Sequence, residues 1–113
     1  MPINNPFNIE FLDEAADFVR SLNMEEKREM LANISAAKIA LDSSLFKKLT
    51  KDIWEFRAKH YGKQFRLLAF WDKTRKSMVI ATHGFVKKTQ KTPLQEIKHA
   101  EQIMKLYYMN LKS

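Results

Sequence analysis

The order of apolar and polar residues divides the chain into a strand, two helices, a strand meander and a last helix. Residues 7–12, Phe-Asn-Ile-Glu-Phe-Leu, alternate as a short half-buried strand does. Asp13 can then cap a helix whose apolar positions are Ala15, Phe18, Val19 and Leu22. Asn23, with Glu26 three residues on, predicts the cap of a second helix. That helix runs to about residue 41, with Met30, Leu31, Ile34, Ala37 and Leu41 as its buried stripe. Residues 42–50 read as a connector pinned to the core by Phe46 and Leu49.

Alternation returns over residues 53–60, with Trp54, Phe56 and Ala58 on one face and Glu55, Arg57 and Lys59 on the other. Tyr61, Gly62 and Lys63 make a tight turn. Residues 64–71 form a largely apolar strand interrupted by Arg66, residues 72–76 a polar hairpin loop, and residues 77–86 the third strand of the meander. Thr92-Pro93-Leu94-Gln95 predicts a helix start, with Thr92 as cap, Pro93 in the first turn and Gln95 completing a capping box. Leu94, Ile97, Met104, Tyr108 and Leu111 recur on that helix, widened by Ala100, Ile103 and Tyr107. The sum is one α+β domain over residues 1–113: a small, mainly antiparallel sheet of about four strands, two N-terminal helices and a C-terminal helix. The helices are expected on one sheet face, leaving the other open to a ligand.

Composition narrows the chemistry. The chain has no cysteine, so neither disulfides nor thiolate metal sites are available, and His60, His83 and His99 are too scattered to form a metal set. No metal or cofactor is expected. No apolar run has membrane-spanning length and no signal-peptide pattern opens the chain, so a cytoplasmic protein with no membrane partner is expected. The net charge of +7 is segregated: residues 1–42 carry four Lys/Arg against eight Asp/Glu, whereas residues 43–113 carry sixteen against five. Residues 57–91 hold ten cations and one acid, Asp72. A basic field so one-sided steers polyanions: nucleic acid, an anionic membrane or an acidic protein partner.

Arg57 and Lys59 share a strand face opposite the aromatic residues and project outward. Arg66, inside an apolar strand, needs a partner for its charge. Either Glu55 on the neighbouring strand supplies it, or the guanidinium is held for a phosphate, which its planar fork grips in two places. Lys87, Lys88 and Lys91 gather where the last strand meets the last helix, beside His83, which can serve as acid or base or simply be hydrogen-bonded.

Three runs carry a family likeness: Asp52-Ile53-Trp54-Glu55-Phe56-Arg57, then Phe65-Arg66-Leu67-Leu68, then His83-Gly84-Phe85-Val86-Lys87-Lys88-Thr89-Gln90-Lys91-Thr92-Pro93. Together they resemble the RelE/HigB-like toxins of bacterial toxin–antitoxin modules, most closely the phage-derived branch, and the similarity covers most of the chain. The resemblance implies a RelE-like fold and a ribosome-dependent mRNA endonuclease that inhibits translation. Its usual chemistry is attack of a ribose 2′-hydroxyl on the adjacent phosphate. It also implies a cognate antitoxin, often a helix-turn-helix protein, and mRNA on the ribosome as partner. Carried onto this chain, it implies Arg66 as phosphate clamp and Lys87 or Lys88 as electrostatic or proton-transfer groups, with His83 in the same motif as a further catalytic candidate. Arg57, Lys59, Lys63 and Lys91 would hold the RNA. Two other functions fit the same features: a ParE-like poison of DNA gyrase, and a nucleic-acid-binding module without catalysis.

Overall fold

The computed structural model describes residues 7–40, 44–88 and 91–112. They form β1 (Asn8–Phe11), α1 (Asp13–Ser21), α2 (Met24–Ala40), β2 (Phe46–Lys48), β3 (Ile53–His60), β4 (Lys63–Trp71), β5 (Met78–Lys87) and α3 (Leu94–Leu111). The sheet order is β1-β5-β4-β3-β2, with β1 parallel to β5 and every other pair antiparallel. The α+β class and the meander agree with the hydrophobic pattern. Leu41 and the Thr89-Gln90 step of the basic motif lie outside the described residues.

The connector over residues 42–50 holds an additional strand. Phe46 pairs with Phe56 and stacks on its ring with centroids 4.1 Å apart, while Lys47 pairs with Glu55. Three residues are too few for alternation to register as a strand, and it is the neighbouring edge of β3 that makes them one.

Helices cover both sheet faces, not one. Ala15 and Leu22 of α1 and Met30, Ile34 and Ala37 of α2 join Phe56, Phe65, Leu67, Val79 and Ala81 in one core cluster. α3 lies on the opposite face, with Ala100, Ile97, Met104 and Tyr108 against Ile53, Leu68, Phe70 and Ile80. It leaves uncovered the end of that face where Arg57, Arg66 and Lys87 stand. Leu31, Leu94 and Leu111, expected on buried stripes, are instead exposed.

Local signals were honoured unevenly. Asn23 and Glu26 make a reciprocal capping box, each backbone N–H bonded to the other's side chain at 3.0 and 2.8 Å. Asp13 is already inside α1, whose cap is Leu12, and α3 begins after Pro93 with no side-chain cap. Thr92 does not cap α3; its hydroxyl donates to Glu55 Oε1 at 2.5 Å. At the β3–β4 turn Tyr61 and Gly62 both have positive φ, 49° and 79°, as a two-residue hairpin with the right twist requires.

One irregularity sets the geometry of the basic end. Leu68 pairs with His83 but Ala69 with Ala81, so Thr82 is an extra residue in β5. Its hydroxyl donates to the Leu68 carbonyl at 3.1 Å. Before the bulge, Val79 and Ala81 face α1 and α2. After it, the phase reverses, and His83, Phe85 and Lys87 take the α3 face. Gly84 then turns to α1, where the Phe18 ring lies so close that an added Cβ would fall 2.1 Å from Cδ2.

Candidate functional site: a basic groove at the open end of the sheet

Alternation in β3 puts Glu55, Arg57 and Lys59 on the α3 face, and the β3–β4 register sets Arg57 directly opposite Arg66. Like charges at opposed positions repel. The chain resolves this with Glu55, which is 1% exposed and lies diagonal to Arg66. Glu55 Oε1 is 3.1 Å from Arg66 Nε, and Oε2 is 3.6 Å from Arg57 Nε. Neither nitrogen is aligned for a hydrogen bond, so Glu55 Oε2 and both Nε atoms are buried without one. The arginine–glutamate partnership foreseen from sequence therefore exists, but as a half-satisfied buried cluster and not a closed surface pair.

The Arg66 guanidinium is further held by the Phe65 carbonyl at 3.0 Å and Gln64 Oε1 at 2.6 Å. Burial lowers its proton affinity, Glu55 counters this, and Arg57 adds to the lowering; an arginine remains charged regardless. Lys87 is pushed below the ordinary lysine value by partial burial and by Arg66, Arg57 and Lys47, with Glu55 opposing. A lysine so placed gives up its proton more readily than a free one.

Glu55, Arg57 and Lys87 line a groove of about 270 Å³ together with Lys91, Thr92, Lys47 and Lys48, whereas Arg66 is only 5% exposed and lies outside that lining. An adjoining hollow of about 310 Å³ is lined by Arg57, Lys59, Gln64 and Arg66, so Arg57 stands at the junction. The structure thus brings together Arg57, Lys59, Arg66, Lys87 and Lys91. Lys88 is exposed and follows β5 on the alternate side from Lys87. Lys63 faces α2 and pairs with Glu26 at 3.7 Å. His83 lies under α3, 5% exposed, its Nε2 2.9 Å from Glu96 Oε1 and its Nδ1 3.2 Å from Thr82 Oγ1. Burial lowers its pKa, which Glu96 opposes and the nearby His99 reinforces. Phe85 stands between His83 and Lys87 on the strand face.

Sequence reasoning missed Lys47, Lys48 and Thr92 as groove residues. The lysines were hidden in the supposed connector, and Thr92 had a competing capping motif. Other cations of the basic segment are drawn away. Arg75 makes two bonds to Glu10, at 2.6 and 3.0 Å, one to Asp72 at 3.0 Å and one to the Tyr107 hydroxyl at 2.7 Å. Lys73 is 3.7 Å from Asp52.

A larger cleft of about 380 Å³ between the start of α1 and α3 is lined by Leu12, Ile103, Leu106 and Leu111 and by no cation, so it does not suit a phosphate. Among the described residues no group of histidine, aspartate and glutamate could hold a metal, and no helix is long and apolar enough to cross a membrane.

Residues 17–105 match the family described as phage derived protein Gp49-like. Among solved structures the chain is similar to one in the crystal structure of the archaeal RelE–RelB complex from Pyrococcus horikoshii OT3. That match has 12% identity and a TM-score of 0.48, covering 77% of this chain and 99% of that one. No curated protein matches it. The family match spans the groove, from the strand that carries Glu55 and Arg57 to the helix beyond Thr92, and the chain belongs to the phage-derived Gp49-like family, a RelE/HigB-type family of toxin–antitoxin toxins.

Proposed function

We propose that this toxin is a ribosome-dependent mRNA endonuclease. The observation that carries the reading is the pair of adjoining hollows that meet at Arg57, one lined by Lys87 and the other by the buried Arg66, with the two arginines backed by a buried carboxylate. Held cations suit a reaction whose transition state gathers charge on phosphate oxygens, because they need not reorganise as it forms.

In the proposed reaction the ribose 2′-oxygen attacks the adjacent phosphorus and loses its proton to a water molecule, while the bond to the 5′-oxygen breaks. The products are a 2′,3′-cyclic phosphate and a 5′-hydroxyl, with no net oxidation. Arg66 and Arg57 grip the non-bridging oxygens. Lys87, with its lowered proton affinity, donates to the departing 5′-oxygen. Lys47, Lys48, Lys59 and Lys91 attract the RNA backbone. Lys88 and Lys63 contribute to the general field, and His83 braces β5 against α3. An antitoxin, of helix-turn-helix type as the family likeness implies, keeps the toxin silent, and the site of action is the translating ribosome in the cytoplasm.

A purified translation system tests this. Added toxin should leave cut mRNA only when ribosomes are present, and a 2′-deoxy nucleotide at the cut position should abolish cutting. Intact message with unimpaired protein synthesis would refute the reading.

A further inference from the structure

Glu55 occupies a place where a carboxylate is costly. It sits on the middle of β3, 1% exposed, with one oxygen lacking any hydrogen bond. A buried charge in that state calls for an explanation beyond packing. Its contacts supply one. A single carboxylate touches Arg66 of β4, Arg57 of its own strand and the Thr92 hydroxyl at the entrance to α3.

We propose, building on the endonuclease reading, that Glu55 is the positioning residue of the cleavage reaction. It holds two mutually repelling guanidiniums side by side, Arg57 at the groove and Arg66 in the hollow that adjoins it. Through Thr92 it also draws the strand-to-helix corner, which carries Lys87 and Lys91, against them.

Glu55 is not itself the base. Although the residue borders the groove, its unbonded Oε2 is itself buried, which keeps it from taking a substrate proton. Nor does its charge help RNA to bind, because a carboxylate beneath a phosphate site repels the phosphate. The residue therefore works against affinity and for geometry, which separates it from a merely cationic surface. Its field also reaches Lys87. Of the charges facing that lysine, Arg66 from β4, Arg57 from β3 and Lys47 from β2 favour proton loss, and Glu55 opposes it.

The full chain is compared with Glu55→Gln, Glu55→Asp and Thr92→Val in single-turnover cleavage of ribosome-bound mRNA. Binding of the same message with a 2′-deoxy cut site, and thermal melting, are measured in parallel. Glu55→Gln should slow cleavage on the order of 100-fold, the scale of losing preorganised charge stabilisation. Its binding should hold or tighten, and the alkaline limb of the pH–rate profile should move to lower pH as Lys87 loses its proton sooner. Glu55→Asp, which keeps the charge on a shorter stem, should recover about tenfold of the loss. Thr92→Val should slow cleavage about tenfold with unchanged binding.

A folded Glu55→Gln variant that cuts within threefold of wild type, or that loses binding in step with cleavage, overturns the proposal. Should Glu55→Gln fail to fold, the aspartate and valine variants decide it: wild-type rates in both overturn it, and slowed cleavage with intact binding supports it. A wild-type protein that leaves ribosome-bound mRNA intact overturns the endonuclease reading and this inference together. A cutting wild type with an indifferent Glu55→Gln variant overturns this inference alone.

Discussion

Replacing Asp72 by asparagine isolates the clasp that closes the far end of the sheet. Asp72 Oδ1 accepts the backbone N–H and the hydroxyl of Thr74 at 2.7 and 2.6 Å, and Oδ2 accepts Arg75 and the Tyr107 hydroxyl at 3.0 and 2.5 Å. Burial alone would raise its pKa. Bonds from Thr74 and Tyr107, the Thr74 backbone and Arg75 outweigh this and bring it down to about 2 from the ordinary 3.8. At 1.36 kcal/mol per pH unit, that drop amounts to roughly 2 kcal/mol of folding free energy at neutral pH. The folded-state value lies below the unfolded one. The contribution is therefore complete above about pH 4 and disappears as pH falls through about 2. Asp72→Asn should cost about 2 kcal/mol at pH 7, near 8 °C in melting temperature at roughly 4 °C per kcal/mol. Denaturant melts of both proteins from pH 7 to pH 2 would show the two stabilities converging at the acid end. A gap that stays constant across that range, or one below about 0.5 kcal/mol at pH 7, would refute the account of the clasp. Cleavage below the melting range should be unchanged, since the clasp lies outside the groove.

Three further outcomes are expected. Lys87→Ala should slow mRNA cleavage by roughly 10²–10³-fold and Lys88→Ala only a few-fold, measured under single turnover; equal losses would show that the phase of β5 does not select the lysine. Gly84→Ala should destabilise by about 1–3 kcal/mol because its methyl collides with the Phe18 ring, and the penalty should shrink in a Phe18→Ala background in a double-mutant cycle. His83 has a folded-state pKa below its ordinary 6.5, so the wild type should lose stability as pH falls below about 6.5, and His83→Gln should remove that slope in melts at pH 7.5 and 5.5.

The helices and the three long strands were legible because their signals are local. Asn23 and Glu26 announce α2 through a bond only three residues wide, and Ile53–His60 alternates cleanly because one face of β3 packs Phe56 and Ala58 under α1 and α2 while the other passes from Ile53 to the charged Glu55, Arg57 and Lys59. What stayed hidden depends on partners far away in sequence. Phe46–Lys48 becomes a strand only beside β3. Thr92 carries a capping pattern, yet the buried Glu55 oxygen, 37 residues earlier, competes for the same hydroxyl and wins, since an unmet carboxylate in the interior costs more than an open helix end in water. The bulge at Thr82 has the largest consequence. Strict alternation from Val79 and Ala81 would send Lys87 toward α1 and α2 and bring Lys88 to the groove. One extra residue exchanges the two, so the choice between neighbouring lysines, which composition and motif leave open, is made by the register of a single backbone step. The same step turns His83 in under α3 and Gly84 out against Phe18. Inserting or deleting one residue at the bulge would move all three at once, which is why the site belongs to the topology of the sheet as much as to its basic residues.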